Sequence, residues 1–169
     1  MKITDTLSLI KSRRSIRKYR EDDIPSKTME RIMEAGRWAP SGLNNQPWKF
    51  CVIKDSDIKK KLSVLTAYGR IVRQCRVCIA VFYDLPRGYD RDKDAMAIGA
   101  CVQNMLLASV SLGIGSVWLG EILNRKKEVN ALLDIDDSCE LMAVIALGYP
   151  AESPKSSRRT LKSFILKKI

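Results

Sequence analysis

VCIAVFY (77–83) and ELMAVIALGY (140–149) are the stretches that decide the architecture of this chain. Both are short, continuous apolar runs rich in β-branched and aromatic residues, which read as strands. Neither alternates polar with apolar residues, as a strand with one wet face would, so helices should cover both faces of their sheet. The flanking sequence supplies such covers. Upstream, KFCVI (49–53) reads as a strand, followed from Asp57 by a short helix with Ile58, Leu62 and Leu65 on one face. Between the two decisive runs, 92–112 reads as a long helix, apolar nearly all round, of the kind found in the centre of a core or an interface. IGSVWL (114–119) reads as a further strand, and Asn124 as the cap of a short helix with Val129, Leu132 and Leu133 inward. Nearer the N-terminus, Thr4 is the expected cap of a first helix that turns Leu7 and Ile10 inward. A second opens at Pro25–Ser26, spaces Met29, Ile32, Met33 and Gly36 helically, and stops at Pro40. Helices and strands alternate, so a three-layer α/β/α sandwich is expected.

Composition narrows the chemistry. The 169 residues are 46% hydrophobic and 29% charged, the balance of a globular protein. No apolar run reaches the roughly 18 residues of a membrane span. The apolar stretch at the N-terminus precedes its charges, the reverse of a secretory signal, so a cytoplasmic address is expected. A net charge of +11 without a helix-turn-helix, finger or RNA-binding signature favours a site for a small phosphorylated ligand over nucleic acid. The chain has no histidine, which excludes Ser-His-Asp and Cys-His nucleophilic sites and the histidine-bearing zinc motifs. Its five cysteines form no evident disulfide framework. Cys75 and Cys78 make a lone CxxC running into a strand, where odd spacing should point them to opposite faces as core residues. Asp90, Asp92 and Asp94 read as turn and cap residues, since the Gly and Glu of a calcium loop do not follow, and no metal site is expected.

Three segments could carry function. RRSIRKYRED (13–22) packs four Arg, one Lys and a Ser into its first eight residues, and Arg13, Ser15 and Arg17 share one side of an extended stretch. Guanidinium forks beside a hydroxyl suit a phosphate; a solvated basic connection is the plain alternative. APSGLNNQPWKF (39–50) is a turn-rich loop whose Asn-Asn-Gln run offers donors and acceptors to the edge of a heterocycle, or is an ordinary connection with Trp48 in core or interface. LGIGSVWLGEILNR (112–125) is not a dinucleotide fingerprint, because its first glycines precede their strand and the third is missing. Gly120–Glu121 at the strand's end is more telling, since a glycine there lets a flat ligand approach the backbone.

Taken in this order, the segments resemble the nitroreductase family of FMN-dependent oxidoreductases. Arg-Arg-Ser-x-Arg near the N-terminus, Pro-Ser-x-x-Asn-x-Gln-Pro-Trp, the helix DAMAIGACVQNMLLAS, GIGSVWLGE and the basic SSRRTL (156–161) carry the likeness over nearly the whole chain. It implies an α+β homodimer with a central mixed sheet, helices on both faces and FMN at the dimer interface. Arg13, Arg14 and Ser15 would hold the FMN phosphate with Arg158 and Arg159. Arg17 would lie by the flavin pyrimidine and tune it. Pro40, Ser41, Gly42 and Asn44 would come from the other subunit, with Gln46 assisting. Leu119, Gly120 and Glu121 would lie against the isoalloxazine. The cofactor itself would carry the chemistry, with no catalytic side chain. The expected activity is electron transfer from NAD(P)H through flavin to a nitro compound, quinone or similar small acceptor. The alternative is a non-catalytic flavin-binding sensor on the same fold. Residues 1–169 read as a single domain, whose tail over about 156–169 reaches the partner subunit with Phe164, Ile165, Leu166 and Ile169. TAYGRIVRQCR (66–76) departs from the family by lacking the Asn and Lys that many members place on the ribityl chain.

Overall fold

β2 (Val77–Asp84) is buried at every position and pairs on both sides, with β1 (Trp48–Ile53) and β4 (Cys139–Gly148). β3 (Gly115–Leu119) joins the far edge of β4, so the sheet runs β1-β2-β4-β3. These relations come from a computed structural model that describes residues 5–169. All three strand pairings are antiparallel; among the described residues, parallel pairing is confined to the bridge between Ser15 and Ser116 at the β3 edge. That bridge is the mixed element of the sheet.

Two helical layers bury the two faces. α2 (Ser26–Arg37) and α5 (Arg91–Ser111) pack over Ile79, Val81, Ala143 and Ile145. α3 (Ser56–Ser63), α4 (Gly69–Gln74) and α6 (Lys126–Leu133) lie on the face that carries Ala80, Phe82, Val144 and Ala146. The pairing with β2 skips Met142, a bulge that turns Leu141 toward the same layer as Val144. α2 and α5 approach closely because Gly36 stands between them: a Cβ there would fall 2.7 Å from Met105 Cγ.

Some expectations fail for local reasons. Thr4 lies outside the described residues; α1 (Thr6–Ser12) is capped by Asp5, whose side chain accepts from the Ser8 N–H at 2.9 Å. Leu7 and Ile10 face outward, 62% and 45% exposed, because this seven-residue helix sits beside α5 with no further layer over it. Asn124 falls in a 3₁₀ turn, Glu121–Arg125, and α6 starts after it without a side-chain cap. α4 is too short and too charged to leave a helical period in the sequence. No described helix is long and apolar enough to cross a membrane. Residues 155–169 are exposed throughout.

Candidate functional site

The segment after α1 runs extended along the sheet edge. The Ile16 N–H donates to the Ser116 carbonyl at 3.0 Å and the Arg20 N–H to the Tyr149 carbonyl at 2.9 Å. The Tyr19 hydroxyl fastens the segment from within by donating to the Ile16 carbonyl at 2.6 Å. Arg13 and Arg14 are thereby delivered to a cavity of about 450 Å³, also lined by Lys11, Gln103, Ser156 and Arg158. Among the described residues, no carboxylate lines it. Arg14 is braced by the Lys11 and Arg13 carbonyls at 2.6 and 2.8 Å, and Arg158 by the Ser156 hydroxyl and the Ser157 carbonyl. Partial burial, then the charges of Arg158 and Arg14, push the Arg13 guanidinium below its usual pKa. Cations gathered without a counter-charge make a receptor for an anion, and a phosphate fits this donor set.

The other predicted basic residues are less central. Ser15 pairs with β3, and its carbonyl accepts from Arg17 Nη1 at 3.3 Å. Arg17 is exposed, its backbone N–H bonded to Glu152 Oε1 at 2.6 Å. Arg159 does not line the cavity; its guanidinium lies 4.6 Å from the Phe164 ring centroid.

Pro40 leads into a tightly wound loop. The Ser41 hydroxyl accepts from the Gln46 N–H at 3.0 Å, and the Ser41 and Gly42 carbonyls accept from the Asn44 and Asn45 N–H groups at 3.1 Å. Leu43, Asn44 and Gln46 all have positive φ. The loop is tied to the start of α5 through Asn45 and Asp94, 2.7 Å apart. Gln103, on the wall of the arginine cavity, lies nine residues farther along that helix, roughly 13 Å of rise. Within one chain the loop therefore does not line the arginine cavity.

At the end of β3, Leu119 is buried and Gly120 is open: a Cβ placed on Gly120 meets nothing within 4 Å. A flat ring has room to approach there. Glu121 is already engaged, accepting from the Thr66 hydroxyl at 2.6 Å and the Ala67 N–H at 2.9 Å, and these bonds lower its carboxyl pKa. Its role in the fold is to hold the 66–68 turn against β3. Sequence reading missed Trp118, which is 42% exposed between buried Val117 and Leu119; the exposed aromatic was readable as the outward member of that triplet. It also missed Gln103, a polar residue within the apolar run of α5, and it read Asp94 as a turn or cap residue without its bond to Asn45.

Cys75 and Cys78 are buried, but not on opposite faces: their sulfurs lie 3.3 Å apart. Cys75 stands in the turn that ends α4, ahead of β2, so strand alternation does not separate the pair. Their mutual hydrogen bond makes Cys75 the more acidic thiol and pushes Cys78 well up.

A sequence model described as the nitroreductase family matches residues 10–68 and 64–149. A provisionally named NADH dehydrogenase/NAD(P)H nitroreductase from Archaeoglobus fulgidus is 36% identical, covering 88% of this chain and 87% of its own. Its counterpart from Methanothermobacter thermautotrophicus is 34% identical over 89% of this chain and 80% of its own. Among solved structures, a provisionally named nitroreductase from Desulfovibrio desulfuricans in complex with FMN superposes with a TM-score of 0.93. It is 45% identical and covers 96% of each chain.

Proposed function

The chain belongs to the nitroreductase family, and from that premise we propose that it is an FMN-dependent oxidoreductase passing electrons from NAD(P)H to a small acceptor such as a nitro compound or quinone. The observation that carries this reading is the carboxylate-free cavity of Lys11, Arg13, Arg14 and Arg158, in a chain 45% identical to a protein solved with FMN. Arg13, Arg14 and Ser15, joined by Arg158 and Arg159, would hold the phosphate. Arg17 would face the pyrimidine ring as the cation that favours its negative, reduced form. Leu119, Gly120 and Glu121 would border the ring system, where Gly120 leaves room. FMN, when bound, supplies the hydride and electron chemistry, which is why a chain without histidine can serve. The protein's part is to bind, orient and shield.

The working unit on this reading is a homodimer. Pro40, Ser41, Gly42, Asn44 and Gln46 belong to the loop tied to the start of α5, away from their own chain's arginine cavity, and a second copy would bring them to it. Exposed Leu7, Ile10, Trp38, Met96 and Phe164 are the apolar surface such a pairing would cover, with the tail from about 156 onward reaching across. The five free cysteines suit a cytoplasmic, reducing setting. A non-catalytic sensor is disfavoured by relatives named as NAD(P)H nitroreductases. The test is direct. Purified protein should show flavin absorption, release FMN on denaturation, and oxidise NADH or NADPH when given a nitroaromatic or a quinone. Protein that neither retains nor binds FMN on titration overturns the proposal.

A further inference from the structure

The loop 41–46 holds a conformation its residues do not favour. Leu43, Asn44 and Gln46 have φ of 54°, 53° and 49°, the left-handed region where a Cβ crowds the backbone. Asn tolerates it; Leu and Gln do so rarely, and Leu43 is 86% exposed, so no burial of its own side chain compensates. Backbone of this kind persists where surrounding structure over-determines it, typically at functional sites.

Beyond the loop's own hydrogen bonds, it is held from outside by one buried carboxylate. Asp94, in the first turn of α5, is fully buried. Its Oδ1 accepts from Asn45 Nδ2 at 2.7 Å. Its Oδ2 accepts from the Tyr83 hydroxyl at 2.8 Å, the Tyr89 N–H at 2.9 Å and the Asp90 N–H at 3.2 Å. Four donors converge on two oxygens, and only an ionised carboxylate can satisfy them all. A protonated acid or an amide would set a donor against a donor. The same amide of Asn45 donates to the Arg87 carbonyl at 3.0 Å, so its acceptors lie on the segment leading into α5 and on the first turn of that helix. That segment also closes on the loop from the other side: a Cβ on Gly42 would fall 1.8 Å from the Tyr89 hydroxyl.

We propose that Asp94 is a positioning residue for the flavin site, acting through Asn45 to set the shape of the 41–46 loop that one subunit presents to the flavin held by the other. The proposal rests on the dimeric FMN reading above and adds to it the element that preorganises the loop. Neither Asn45 nor Asp94 need touch the cofactor.

Asn45→Ala cuts the link while leaving Asp94 with three donors. FMN release from the holoprotein is followed by recovery of flavin fluorescence, and the flavin environment by visible circular dichroism, at a temperature where the variant is folded. The expected result is release faster by about tenfold or more, the usual effect of one charge-assisted hydrogen bond, with a changed visible dichroism band, beside the modest fall in apoprotein melting temperature that an unpaired Asp94 oxygen brings. Asp94→Asn should speed release and change the dichroism in the same way, alongside its own loss of stability, and the double variant should release FMN little faster than either. If Asp94→Asn does not fold, Asn45→Ala alone decides. Unchanged release and unchanged dichroism in Asn45→Ala overturn the proposal, as does a melting temperature lowered with no effect on flavin. A parent that binds no FMN overturns instead the reading on which it rests.

Discussion

At Arg13, binding and stability pull in opposite directions. Its guanidinium is half-buried beside Arg14 and Arg158 with no carboxylate lining the cavity, and its lowered pKa records that cost. Arg13→Ala should weaken FMN binding by about 1.5–3 kcal/mol, measured by titration calorimetry. The melting temperature of its apoprotein should be equal to or above the parent's, because the like charges are relieved. Unchanged FMN affinity would remove Arg13 from the phosphate site. Asp94 shows the reverse balance. Burial would raise its carboxyl pKa, yet the bonds from Asn45, Tyr89, Tyr83 and Asp90 outweigh burial and hold it below the usual value. A depressed folded pKa means that stability from Asp94 is present above the unfolded value of about 3.9 and is lost as pH falls through the folded value. Urea unfolding of the parent and Asp94→Asn should therefore differ most near neutral pH and converge below about pH 4. A gap that persists undiminished into acid would show that the carboxylate's charge is not what matters.

Among the elements, β3 carries most of the interest, because its end must be both packed and open. Leu119 anchors it in the core, and Glu121 ties it to the 66–68 turn. Between them Gly120 leaves its surroundings empty, with φ of −96°, a value any residue can adopt. Gly120→Val should therefore fold with an unchanged apoprotein melting temperature. It should lose FMN affinity by about 1–3 kcal/mol, the usual penalty of filling space another group needs. Normal affinity in this variant would mean that the ring lies elsewhere. The motif around β3 was legible in the sequence, but Glu121 was legible only as a motif position. That its carboxylate is occupied by Thr66 and Ala67 depends on a contact between segments more than fifty residues apart. α1 teaches the same lesson. Leu7 and Ile10 follow a helical period, and a period reports which residues share a face without reporting what that face meets.

As a whole molecule the chain exposes 10497 Å². A compact monomer of 19.1 kDa should expose about 8,400 Å². The excess, about 2,100 Å² per chain and so about 4,200 Å² for two, is on the scale of an obligate dimer interface, roughly 2,000–5,000 Å² over both partners. It includes the tail, where Leu166 and Ile169 are wholly exposed. Sedimentation of the flavin-loaded protein should give a dimer. Deleting residues 162–169 should lower its melting temperature and speed FMN release together. A folded, flavin-bound monomer, or a truncated chain with parental properties, would sink this reading of the tail.

The layers are readable from the amino-acid order alone: strands without polar alternation, long enough and β-branched enough to need covering on both faces. That order also marked the arginine segment and the Pro-Ser-Gly loop as the stretches to weigh for a ligand, because clustered guanidinium groups and a run of amides are visible in residue type alone. Strand direction emerges only in the folded chain, since composition is blind to which way a chain returns across a sheet. Only there do Cys75 and Cys78 meet, because a turn precedes the strand whose alternation would have parted them. And only there does Asn45 find Asp94, forty-nine residues away, by a hydrogen bond whose partners no local pattern can announce.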